Sequence, residues 1–334
     1  MYDVLRRIYR FLRKHPAKTR LALVAVLFAV LFSNIHPRDI LITIGRADPW
    51  YLTIAVILLV PNIAMQLVKW HYILRVINPR PPFRLTLISL FGGFFLAVST
   101  PGRTGELARG FLMPGYSKVR IASLTVVDKG FSQLMVILFG LLGTSLLLPF
   151  PFSLLPILII ITLLIALFNA HRLRPYIERI LKRFAHSEMI DNALAAFDAL
   201  SFDMVFGMLL FSVVFYLTFT IQLFIILRAF TEVPVGVGVQ GVPLIYFANT
   251  LMPISIGEFG MKDFAAVQIL GRFDIPGAAV LSATFTQTVM TLIIPSIIGG
   301  IMFAFTKHPP IREARSLDDR TIPRSGASHP RDDG

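Results

Sequence analysis

Cysteine is absent from this chain of 334 residues, which excludes disulfides, thiolate nucleophiles and cysteine-ligated metals, and leaves the redox compartment unreadable. Charge is scarce too. Only 15% of residues are Asp, Glu, Lys or Arg, 55% are hydrophobic, and the mean hydropathy is +0.72, which is too little polar surface for a soluble protein of this length. The composition is that of a polytopic, all-α integral membrane protein. Acid is the scarcer sign, with 19 acidic against 32 basic residues. In a soluble domain that excess would suggest nucleic acid, but here the bases lie between apolar runs, so the expected partners are membrane lipids and no nucleic acid. Metal signatures are missing as well. The seven histidines are scattered, with no His-Glu-x-x-His pair and no carboxylate cluster at ligand spacing, so no metal and no cofactor is expected. Gly102-x-x-Gly105 and the glycines of 236–241 lack the strand and helix context of nucleotide loops and are more simply turns.

What is present is a duplicated hexapeptide. Pro-x-x-x-Gly-Glu occurs at Pro101 to Glu106 and again at Pro253 to Glu258, 152 residues apart, each time at the end of an apolar run. An aromatic pair precedes each copy at the same offset (Phe94-Phe95, Tyr246-Phe247), and a base follows (Arg109, Lys262). A carboxylate beside helix breakers at membrane depth is costly, and two related copies are what a duplicated transport fold leaves behind.

Six segments are long enough to cross: about 19–35, 50–70, 122–148, 153–168, 204–227 and 278–305. Two apolar runs, 85–100 and 242–257, are only about 16 residues, ~24 Å as helix against a ~30 Å hydrocarbon core. Each ends at a hexapeptide, and both read as re-entrant helical hairpins. Three crossings separate the hairpins, so they enter from opposite faces and the halves, about 21–148 and 153–305, form an inverted repeat. A basic interfacial segment (1–20) precedes this domain (21–305), a cytosolic helical loop (169–203) links its halves, and a disordered cytoplasmic tail (306–334) follows. With both termini inside, 24 bases fall on the cytoplasmic side, Lys69, Arg75, Arg80 and Arg84 among them, against four (Arg38, Arg46, Arg228, Arg272) outside. This satisfies the positive-inside rule for a multi-pass protein of the cell (inner) membrane.

The residues expected to carry function lie in and beside the hairpins: Pro101, Gly102, Arg103, Gly105, Glu106 and Arg109 in the first, Pro253, Ser255, Gly257, Glu258, Lys262 and Asp263 in the second. Asp128 and Lys129 begin the following span, and Asn62, Gln66, Gln133, Ser282, Thr284, Thr286 and Gln287 rank below them as polar lining. Glu106 and Arg109 are three apart and Glu258 and Lys262 four, so each pair can neutralise itself on one helical face. Exposing eight such charges to lipid would cost on the order of 20 kcal/mol, so they must pair or line a wetted cavity, where a broken helix also offers free N–H groups to a phosphate. The plainer alternative makes the prolines and glycines packing kinks and the charges interfacial.

At these hairpins the chain resembles the lysylphosphatidylglycerol synthase transmembrane-domain family of flippase-like membrane proteins. Residues 100–109 resemble its Pro-Gly-x-x-Gly-Glu-x-x-Arg element, and 251–263 are similar to its Leu-Pro-x-Ser-x-Gly-Gly-x-Gly-x-Arg-Glu element. Glu258 stands where that family usually has glycine, Lys262-Asp263 replaces Arg-Glu with the charges kept, and Asp128-Lys129 matches only loosely. The resemblance implies the membrane part of a synthase without its aminoacyl-transfer domain, hence no enzyme but a lipid translocase. The expected substrate is a phosphate-bearing lipid, either an anionic phospholipid or a polyprenyl-phosphate lipid. The rival readings are an intramembrane lipid-modifying enzyme, with Glu106 or Glu258 as base and Ser255 as nucleophile, and a non-transporting subunit of an envelope complex.

Overall fold

A computed structural model describes residues 37–98, 100, 103–169, 178, 194–252, 255–256 and 258–305. The expected first span (19–35), the basic segment, most of the loop 169–203 and the tail lie outside the described residues. A short helix α1 (Pro37–Gly45) leads to α2 (Pro49–Leu74), which starts where the Asp48 side chain accepts a hydrogen bond from the Trp50 N–H at 2.8 Å and Pro49 supplies the first helical position. The 26 residues of α2 rise ~39 Å. Similar lengths mark α4 (Lys118–Leu147) and α6 (Phe202–Phe230), the latter capped by Ser201 on the Met204 N–H at 3.3 Å. The last long rod joins α9 (Gly277–Thr288), a π turn (Val289–Ile293) and α10 (Ile294–Phe305). These four are long and apolar enough to cross a membrane. Shorter apolar helices are α3 (Phe83–Val98), α5 (Leu154–Phe168) and α7 (Val235–Leu251), of 16, 15 and 17 residues.

Large apolar side chains face outward along these rods, among them Val56, Ile57 and Val60 on α2, Leu158, Ile161 and Ile165 on α5, and Leu210, Leu217 and Ile221 on α6. Water would not tolerate such faces on so many helices, and lipid does. The chain is a multi-pass α-helical membrane protein.

The two hexapeptides break α3 and α7 in different ways. After α3 the chain turns into a 3-10 helix (Thr104–Leu112) packed back along α3, and Thr100 stitches the turn by accepting from the Gly105 N–H at 2.7 Å while its hydroxyl donates to the Ala97 carbonyl. After α7 comes a minimal antiparallel ladder, β1 (Ser255–Ile256) on β2 (Phe259–Gly260), whose turn carries Glu258, and then α8 (Met261–Gly271) packed back against α7. The second copy is therefore not the all-helical hairpin expected of it. Gly260, with φ of 130°, adopts there a backbone that side chains disfavour.

Packing partners exchange between the halves. Helix α3 lies on α10, α7 lies on α4, and α2 lies on α6, while the 3-10 helix contacts α4 as α8 contacts α9. Each broken helix thus leans on the last span of the opposite half. The α3 to α10 crossing is close because Gly299 has no side chain: a Cβ there would strike the Phe91 carbonyl oxygen, and beside it Ser296 donates to the Phe94 carbonyl at 2.8 Å. Gly299→Ala is expected to push the helices apart and to cost about 1–3 kcal/mol, read as a lower melting temperature in detergent.

Candidate functional site

A polar cavity of about 400 Å³ opens between these elements. It touches the two larger apolar clusters of the core, since Tyr246 belongs to one and Leu90 to the other. Its charged lining comes from five elements. Lys69 stands on α2, Arg103, Glu106 and Arg109 on the first break, Asp128 and Lys129 on α4, Glu258 on the β turn and Lys262 on α8.

These groups form one chain of alternating sign. Lys69 Nζ lies 3.1 Å from Asp128 Oδ1, and Asp128 Oδ2 lies 3.7 Å from Arg109 Nη1. Arg109 Nη2 then reaches Glu106 Oε2 at 2.5 Å, and Glu106 Oε1 accepts from Arg103 Nε at 2.8 Å. Arg103 also donates through Nη1 to Glu258 across the halves, and Glu258 Oε2 faces Lys262 Nζ at 3.6 Å. Lys129 branches from the middle onto Glu106 at 2.7 Å. Five cations therefore share three carboxylates.

Local backbone explains how Arg103 reaches both carboxylates. It caps the 3-10 helix with φ of 57°, a left-handed conformation that costs a non-glycine residue roughly 1–2 kcal/mol. Strain of this kind collects at working sites. Arg109, 1% exposed, packs its guanidinium 4.8 Å over the Trp70 ring and against Gly93, where a Cβ would come within 2.7 Å of Nε. Trp70 is itself held by a 2.8 Å bond to Ser89 Oγ. Despite this fit, Arg109 Nε and Nη1 and Glu258 Oε2 are buried without a hydrogen-bond partner. Buried polar groups are nearly always bonded, so these unmatched atoms mark a strained part of the ionic chain.

Of the residues singled out in the sequence, Arg103, Glu106, Arg109, Asp128, Lys129, Glu258 and Lys262 come together here. Gly105 lies just behind them, where a Cβ would strike the Leu96 carbonyl. Asp263 differs from expectation: its Oδ2 accepts from the Gly260 N–H at 2.9 Å and caps α8, and it does not line the cavity. Pro101, Gly102, Pro253, Gly257 and the side chain of Ser255 lie outside the described residues. Gln66 and Gln133 line the cavity, whereas Asn62 bonds Gln66, and Thr284 with Thr288 on α9 accepts from Lys262.

One assignment is corrected outright. Lys69, counted among the cytoplasmic loop bases, is 2% exposed and donates to the Asp128 carbonyl and to Ser132 Oγ as well as to the Asp128 carboxylate. Helix α2 runs on to Leu74, so Lys69 is inside the bundle and not in a loop.

A bundle of apolar helices around a buried ionic cavity defines a polytopic membrane protein with a polar site at its centre. Residues 19–299 match the family described as the lysylphosphatidylglycerol synthase TM region, and the chain belongs to that family. A comparison with curated proteins gives no match.

Proposed function

We propose that this protein is a lipid translocase of the cell membrane, in which the headgroup of a phosphate-bearing lipid enters the ionic cavity while its tails stay in the bilayer. The observation that carries the reading is the continuous ionic chain, in which Arg103 ties Glu106 of one broken segment to Glu258 of the other. Cations that hold these carboxylates are the groups a phosphate would take over, and Arg is suited to phosphate by its planar fork of donors. The proposed architecture has six crossings and two re-entrant segments in an inverted repeat, with both termini cytoplasmic. The exchanged helix pairings favour it, since a two-fold relation between halves requires them.

The protein acts by binding and movement, without a chemical step on the lipid. Ser132 is the cavity hydroxyl held by a lysine, but there Lys69 is the donor and is already paired with Asp128, so it is not placed to take the Ser132 proton. The test is transfer of a fluorescent phosphatidylglycerol between leaflets of proteoliposomes. Arg103→Gln is expected to slow transfer at least tenfold, with no change in lipid mass. Wild-type transfer by this variant, or a mass change in the lipid, would remove the proposal. Reporter fusions that put 36–49 or 228–241 in the cytoplasm would reverse the topology.

A further inference from the structure

The lining of the cavity holds five cations, Lys69, Arg103, Arg109, Lys129 and Lys262, against three carboxylates, Glu106, Asp128 and Glu258, a formal surplus of two positive charges. Lys69 donates to the Asp128 carbonyl and to Ser132 Oγ and pairs with the Asp128 carboxylate, and Lys262 donates to Thr288 Oγ1 at 2.6 Å and to the Thr284 carbonyl while facing Glu258. Arginine does not give up its proton in proteins. A surplus of two among side chains that are mostly buried favours an occupant that carries two negative charges.

From this we infer that the site selects a terminal phosphate, a phosphomonoester or diphosphate lipid, over a phosphodiester lipid. A terminal phosphate carries about −1.5 to −2 at neutral pH, because its second ionisation lies near ~6, whereas a diester carries a single charge. Geometry agrees with the charge count. The unmatched donors belong to Arg109, which is 1% exposed, while Lys129, with 39% of its side chain exposed, stands at the open side. Two separated donor sets suit a phosphate with three free oxygens, one more than a diester offers. The inference rests on the translocase reading, because the apolar wall of Leu107, Phe215 and Phe219 is what favours a lipid over a free ion.

The experiment measures binding to the full-length protein in phosphatidylcholine nanodiscs, with fluorescent phosphatidic acid and phosphatidylmethanol as probes. The two lipids differ by one methyl group and one ionisable oxygen. Phosphatidic acid is expected to bind roughly tenfold more tightly or better, about one decade per 1.4 kcal/mol of differential charge pairing. In Lys129→Gln the surplus falls to one, and the preference is expected to shrink toward parity. Equal binding of the two lipids by the wild type overturns the inference, while continued phosphatidylglycerol transfer that Arg103→Gln slows would leave the translocase reading standing. Inorganic phosphate competing at the lipid's own concentration would keep the dianion preference and remove the lipid as its source. A preference unchanged in Lys129→Gln also overturns the charge argument.

Discussion

Glu106→Ala is expected to abolish lipid transfer and to lower stability by about 3–5 kcal/mol, the usual cost of removing one partner from a buried ionic group. Glu106 is 1% exposed and, among the described residues, is the only carboxylate that Arg103, Arg109 and Lys129 all touch. Its loss leaves those cations facing one another. Arg109→Ala should be nearly as damaging to transfer but milder in repulsion, because it removes a cation from an already cationic site. Glu106→Gln separates shape from charge: it preserves the volume and still accepts hydrogen bonds, so a variant that folds but does not transfer assigns the defect to charge. The measurements are the melting temperature in detergent and leaflet transfer in proteoliposomes. Wild-type transfer by Glu106→Ala would dismiss the site altogether.

Lys69→Met should cost a further ~3–5 kcal/mol if measured alone, because Asp128 would keep only the 3.7 Å approach of Arg109. The loop position that charge counting assigned to Lys69 makes a very different forecast, within about 0.5 kcal/mol of wild type. The two expectations differ by several degrees in melting temperature, so the experiment is decisive. Combining Lys69→Met with Asp128→Leu should recover part of the loss, a coupling of about 1–3 kcal/mol, since paired removal leaves neither charge stranded. Full additivity of the two substitutions would mean that the pair does not interact in the membrane.

Much of the site was legible before any coordinates. Glu106 and Arg109 are joined as their spacing on one helical face implies, and Glu258 and Lys262 face each other at 3.6 Å although Glu258 sits on the β turn and not on α8. Asp128 and Lys129 could be flagged because charges opening an apolar span are expensive. Three things could not be read that way. Lys69 sits at the end of an apolar run, where a base is ordinary, and only the continuation of α2 to Leu74 buries it. Asp263 follows Lys262 directly, but neighbours on a helix point about 100° apart, so one enters the cavity and the other caps α8. The two hexapeptides, alike in letters, take a 3-10 helix in one copy and a β ladder in the other, because their flanks differ and the ring-free glycine at 260 has its counterpart in Ala108.

Composition and apolar run lengths by themselves determined that the chain lives in a membrane as helices, since burial of backbone hydrogen bonds in lipid leaves that sequence few other solutions. Repetition of the hexapeptide singled out Glu106 and Glu258, both of which line the cavity. Only the tertiary structure decided which of them meet, that Arg103 spans the halves and that cations outnumber acids in one cavity. The reason is range: helical spacing governs contacts within a turn, whereas the bond from Arg103 to Glu258 joins residues 155 positions apart, and only packing of α3 on α10 and α7 on α4 brings them together.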